Sequence, residues 1–187
     1  VGAFGAGFLV FGIALTFGAT GSLTLSQIAA HIPQSGIERG YFWVGVSMML
    51  VGFGYKVSLV PFHMWTPDVY EGAPTNITSY MATALKAAVF ASFVRISVSF
   101  FGDQGVQLLG DLQGVAHGLI WWLALLTMLI GNFVALMQTS LKRLMAYSAI
   151  AHTGYLLVGL LAGPTVGYSG IVFYLVAYVA MNIGAFV

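Results

Sequence analysis

Residues 118–137 read GLIWWLALLTMLIGNFVALM, twenty residues without one charged side chain. At 1.5 Å of rise per residue, a helix of that length covers about 30 Å, the thickness of the hydrocarbon core of a bilayer. The pattern recurs on either side. Apolar blocks occupy residues 1–20, 41–62, 76–101, 144–162 and 168–187, so six spans are predicted. Only 6% of the 187 residues are charged and 59% are hydrophobic, with a mean hydropathy of +0.95. A soluble domain carries about 25% charged residues, and a water-facing surface cannot be built from so few. The expected fold is all-α, a polytopic transmembrane helix bundle forming a single transmembrane domain over residues 1–187. The chain opens at Val1 rather than Met and stops at Val187 within an apolar run, so it is expected to be part of a longer protein.

Composition excludes several function classes. A net charge of +1 offers no basic patch for nucleic acid. There is no cysteine, and no pair of histidines stands at ligand spacing, so no metal and no prosthetic group is expected in this chain. Twenty-four glycines, among them Gly159 and Gly163, suit close helix packing. The short connector after residue 137 carries Lys142 and Arg143, which marks it as cytoplasmic by the positive-inside bias. Alternation then places residues 66–75 on the same side. That stretch, TPDVYEGAPT, reads as a turn from its prolines, Asp68 and Gly72. The two outward connectors are one holding His31, Pro33, Glu38 and Arg39, and one holding Asp103, Gln104, Asp111, Gln113 and His117.

Ionisable residues inside apolar spans are costly, roughly 2.5–3.5 kcal/mol for a mid-helix lysine on insertion scales, and by default they mark function. Lys56 lies in VGFGYKVSLVPFHMW (residues 51–65), about fifteen residues into its span. Snorkelling of its amine to the interface is the competing reading. Pro61 follows five residues later. Its ring opposes the carbonyl four residues back, that of Val57, so the helix should kink or break there. Broken membrane helices expose backbone groups that must be satisfied by protein or water, and transporters place ion sites at them. Lys86 stands ten residues into the next span, near the bilayer midplane, where snorkelling is hardest. No acidic residue lies in either span to pair with these amines. His152, in YSAIAHTGY (residues 147–155), suits either a proton relay or a hydrogen bond to a neighbouring helix. Ser148, Thr153 and Tyr155 surround it with hydroxyls. His63 and Tyr155 are relay or interface candidates. Asp68 and Glu71 read as capping or solvated groups, and Asn132 and Asn182 as interhelical hydrogen-bonding positions.

Three runs carry a family resemblance: LVPFHMWTPDVYEGAPTNITSYMATALKAAVFASFVRI (59–96), LMQTSLKRLMAYSAIAHTGYLLVGL (136–160) and YLVAYVAMNIGAF (174–186). Together they resemble the N-type membrane subunits of NADH-quinone oxidoreductase, respiratory complex I. The related L- and M-type subunits and the Mrp-type cation/proton antiporters share the fold. The resemblance implies an antiporter-like bundle of fourteen helices containing two inverted five-helix repeats, of which the six spans would be helices six to eleven. Span 41–62, with Pro61, would be the broken seventh helix. Lys56 and Lys86 would match the lysines of the seventh and eighth helices, and His152 a histidine of the tenth. The family's acidic residue on helix five and lysine on helix twelve would fall outside Val1–Val187.

The implied function is a membrane-arm subunit of a proton-pumping NADH:quinone oxidoreductase, with Lys56, Lys86 and His152 in proton transfer. The resemblance places NADH, FMN, iron–sulfur clusters and quinone in other subunits. The partners it implies are the other complex I membrane subunits and the lipid bilayer, in a bacterial inner membrane. Two alternatives stand beside this: a subunit of an Mrp-type antiporter or membrane-bound hydrogenase, and a membrane scaffold whose lysines only bind lipid headgroups.

Overall fold

The structure is a computed structural model that describes residues 2–33, 35–101 and 112–186. The connector residues Asp103, Gln104 and Asp111 lie outside the described residues, as do Val1 and Val187. In chain order the helices are α1 (Gly2–Thr20), α2 (Leu25–Ala30), α3 (Gly36–Val57), α4 (Thr66–Gly72) and α5 (Thr75–Tyr80). A π-helical turn (Met81–Leu85) then leads directly into α6 (Lys86–Phe101). α7 (Leu112–Leu136) and α8 (Leu141–Leu161) follow, then a second π-helical turn (Gly163–Gly167) and α9 (Tyr168–Phe186). Among the described residues, five helical stretches are long and apolar enough to cross a membrane: Gly2–Thr20, Thr75–Ile96, His117–Leu136, Leu141–Leu161 and Tyr168–Phe186. Their outer faces present Phe4, Val10, Trp122, Phe133 and Phe173. α3 is 22 residues long and includes Glu38, Arg39 and Lys56.

Several boundaries differ from the sequence expectation, each for a local reason. α3 begins five residues earlier than expected, directly at Gly36, whose φ of 79° lies in the left-handed region that glycine adopts without steric cost. Glu38 then falls in its first turn, where a carboxylate complements the helix dipole. The same helix ends at Val57, not Phe62. Residues 66–72, expected as a turn, form the short helix α4 with Pro67 in its first turn. Proline with an acidic residue beside it is also a helix-start signal. α8 starts at Leu141 after an extended Ser140, which takes Lys142 and Arg143 out of the connector and into the first helical turn.

The chain divides into two compact units, Val1–Lys56 with Arg95–Val115, and Val57–Val94 with Ala116–Val187. In the first, α1 lies directly on α3. A Cβ added to Gly12 would come within 2.6 Å of the Gly45 carbonyl oxygen, and one added to Gly45 within 2.7 Å of Thr16 Oγ1. Thr16 is buried and turns its hydroxyl back onto the Gly12 carbonyl at 2.9 Å. Ile28, Ile32 and Phe42 form a small core under α2.

In the second unit α7 and α8 approach through Gly131 and Gly154. A Cβ on Gly131 would sit 2.7 Å from the Ala151 nitrogen, and one on Gly154 3.0 Å from the Ala124 carbonyl oxygen. α4 packs along α8, and α9 packs on α8 and on the π turn at Met81–Leu85. Tyr70, Ala82, Ala146 and Ala149 close the core between these elements. Small residues of this kind let membrane helices gain dispersion contact where no hydrophobic driving force separates helix from lipid.

Gly131→Leu would overpack backbone against backbone, a change that costs about 1–3 kcal/mol. The expected outcome is a lower melting temperature of the full-length subunit in its assembly, measured by thermal unfolding in detergent; an unchanged transition contradicts the close α7–α8 contact.

Candidate functional site: a stapled helix break beside a buried amine

The helix that carries Lys56 stops one residue later. Pro61 has no N–H to give, and in a continuous helix its ring would crowd the carbonyl of Val57; that carbonyl is the last one of α3. Ser58 then takes a left-handed backbone (φ 64°), the conformation in which many helices terminate and which usually falls to glycine. For a non-glycine residue it costs about 1–2 kcal/mol. The buried Ser58 hydroxyl is hydrogen-bonded to that of Thr66, the first residue of α4. Leu59 and Val60 are buried as well, so the break lies inside protein.

A broken helix leaves backbone polar groups without helical partners, and burial makes each unsatisfied one expensive. Two threonines on neighbouring helices supply partners here. Thr153 of α8 donates its hydroxyl to the Val57 carbonyl at 2.8 Å. Thr127 of α7 accepts the Val60 N–H at 3.2 Å while donating to the Leu123 carbonyl at 2.5 Å. Both threonines are fully buried. α4 is fixed at its other end. Arg143 of α8 bridges Asp68 at 3.1 Å and Glu71 at 2.9 Å, and Lys142 Nζ donates to the Ala73 carbonyl at 2.9 Å. The two connectors expected to share a side therefore touch. Asp68, in the first turn of α4, and Glu71 are solvent-exposed, as the sequence suggests, and also pair with Arg143.

Lys86 is the first residue of α6, directly after the π turn. Single π-helical turns inside α-helices are frequent at functional sites. The lysine is 4% exposed. Its amine donates to the Ala149 carbonyl of α8 and lies 5.2 Å from the centre of the Tyr178 ring of α9, within cation–π range. Among the described residues its head group meets a carbonyl and an aromatic face, and no carboxylate. His152 lies one ring further on. It packs 4.9 Å from Tyr178, shares a hydrogen bond between Nδ1 and the Tyr174 hydroxyl, and stands edge-on to Tyr155 at 5.5 Å. Tyr155 and Asn132 of α7 exchange hydrogen bonds of 2.9 and 3.2 Å. A run of polar and aromatic groups thus leads from the buried amine through Tyr178 and His152 to Tyr155 and Asn132.

Of the residues singled out from sequence, Lys86, His152 and Tyr155 come together in the second unit. Pro61 and His63 lie in the turn between α3 and α4, where the His63 carbonyl accepts the Thr66 N–H at 3.1 Å. Lys56 occupies the last turn of α3, because the helix ends at Val57 rather than continuing to Phe62. There the helix dipole favours a cation. Thr127, Tyr174 and Tyr178 were not singled out. The two tyrosines carried a signal, since residues four apart on a helix share a face.

Helices on either side of a stapled break, with a buried amine on the helix after it, define a multi-pass membrane bundle of the antiporter-like type. The chain belongs to the NADH:quinone oxidoreductase/Mrp antiporter transmembrane family, whose profile matches residues 1–187. It is 53% identical to NADH-quinone oxidoreductase subunit N of Salinibacter ruber, covering 100% of this chain and 35% of that protein. Respiratory complex I from Thermus thermophilus with bound aureothin contains a chain that superposes with a TM-score of 0.74 at 38% identity. That match covers 99% of this chain and 37% of the other. A chain of the Mrp complex from a Dietzia species shares the fold, with a TM-score of 0.81 at 20% identity, over 99% of this chain and 32% of that one. The chain thus spans about a third of the length of its relatives.

Thr127→Val should leave the Val60 N–H buried without an acceptor, at a cost of about 1–3 kcal/mol. Thr127→Ser should restore most of it. Thermal unfolding of the full-length subunit in its complex measures both, and a valine variant as stable as the parent contradicts the staple.

Proposed function

We propose that this chain forms the central part of the proton path in an N-type membrane subunit of a proton-pumping NADH:quinone oxidoreductase. One observation carries the proposal. The Lys86 amine is enclosed in a helix bundle with a carbonyl and an aromatic face for company and no counter-charge among the described residues. An ionisable group held inside a membrane bundle is costly and marks function by default. With no carboxylate to trap it in one charge state, it can both take and give a proton, as a relay requires. An amine serving only to bind lipid headgroups would instead extend toward the membrane surface.

The roles follow from position. Lys86 holds the proton within the bundle, and His152 passes it between Tyr178, Tyr174 and hydrated groups beyond. Lys56 belongs to the same path at the end of α3. The break marked by Pro61 gives that end freedom to change its hydrogen bonding, and His63 and Tyr155 stand at its borders. Oxidation of NADH and reduction of quinone belong to other subunits, which also hold FMN and the iron–sulfur clusters. The partners of this chain are the other membrane-arm subunits and the lipid of a bacterial inner membrane; a charge of +1 gives nucleic acid nothing to hold.

Replacing the amines tests this in the full-length subunit within the intact complex. Lys86→Met and, separately, Lys56→Ala should lower NADH-driven proton pumping in vesicles about tenfold or more, the scale of losing one proton-transfer group, while the complex remains assembled. Wild-type pumping in both variants overturns the assignment. Purification without flavin and iron–sulfur partners would move the chain to the cation/proton antiporters.

A further inference from the structure

Thr153 was noticed in the sequence as a hydroxyl next to His152, yet the two side chains serve different neighbours. The Thr153 hydroxyl is fully buried and has a single hydrogen to donate. Two carbonyl oxygens compete for it: that of Val57 at 2.8 Å and that of Ala149 at 3.1 Å. The same Ala149 oxygen accepts the amine of Lys86. As an interior carbonyl of α8 it also accepts the helical N–H four residues on, which belongs to Thr153 itself. Three donors therefore converge on an oxygen with two lone pairs, and among the described residues the hydroxyl is the one of the three with a second hydrogen-bond acceptor, the Val57 carbonyl. The Val57 oxygen is in the opposite situation. As the last carbonyl of α3 it has no helical N–H to accept.

We propose that Thr153 is a positioning residue that couples the charge of Lys86 to the hydrogen bonding of the broken end of α3. While Lys86 is an ammonium group it holds the Ala149 oxygen, and the hydroxyl turns to Val57 and caps the helix end next to Lys56. When Lys86 gives up its proton, the neutral amine donates more weakly. The Ala149 oxygen then becomes the better acceptor, the hydroxyl rotates to it, and the Val57 carbonyl is released. No covalent bond is made or broken; a single hydroxyl torsion changes. The titratable groups around this centre are Tyr178 of α9, His152 of α8 and Tyr70 of α4, which packs against Ala149. Among the described residues no carboxylate faces it. The inference rests on the proton-path reading of Lys86 and adds to it a route by which that charge reaches the helix break.

The test uses the full-length subunit in the intact complex, with hydrogen–deuterium exchange of the amides at residues 58–66 followed across pH and corrected for intrinsic exchange rates. The parent protein should show a several-fold step in protection of this segment as Lys86 titrates. Lys86→Met and Thr153→Val should both abolish the step, and Thr153→Ser should restore it. Thr153→Val should also flatten the pH profile of proton pumping, which a purely structural loss would scale without reshaping. A step that persists in Thr153→Val, or no step in the parent, overturns the coupling. If Lys86→Met pumps as the parent does, the proton-path reading itself fails; if that variant is inactive while Thr153→Val keeps both step and profile, only the role of Thr153 fails.

Discussion

Peptide groups released by breaking a helix inside an apolar bundle cannot turn to water, and the second unit is arranged around that constraint. The Val57 carbonyl and the Val60 N–H are exposed by the break, and threonines on two other helices receive them. The helices that carry those threonines pack closely on each other, with glycine where α7 meets α8. Gly131 and Gly154 thus border the site through packing rather than chemistry. The same α8 supplies the Ala149 carbonyl to Lys86, His152 to the aromatic run, and Arg143 to the acidic pair on α4. One helix serves the break, the amine and the anchor.

The two lysines solve the problem of an intramembrane charge differently. Lys56 sits in the last turn of α3, where partial negative charge accumulates on unpaired carbonyls. Lys86 takes a carbonyl from another helix and an aromatic face. Neither arrangement is as strong as an ion pair. In the proposed proton path a weakly held charge is the useful one, because a deep electrostatic well would trap the proton. By contrast, the ion pairs from Arg143 to Asp68 and Glu71 lie at exposed carboxylates, where they anchor α4.

The apolar blocks made the helices legible, since a charge-free stretch such as 118–137 admits few other structures. Lys86 was legible for the same reason, as the one amine within its span. The position of the break was read less well. Proline marks a disturbance, but its steric effect acts four residues upstream, so α3 ends at Val57 and Lys56 becomes a helix-end residue. Residues 66–72 were misread because Pro67 and Asp68 signal a helix start as well as a turn. The π turn before Lys86 has no mark in residue type that periodicity would reveal. The sequence marks Thr153 only as a hydroxyl beside His152 and does not mark Thr127 at all: a threonine in a membrane helix usually bonds to its own backbone, and only the fold shows which of them reach another helix.

The most direct test of the account is an experimental density map of the intact complex, fine enough to show ordered water around Lys86. The amine should lie within the bundle, on the Ala149 carbonyl, with water leading from it toward His152. An amine stretched out to the headgroups, with a dry and lipid-lined surround, would contradict it.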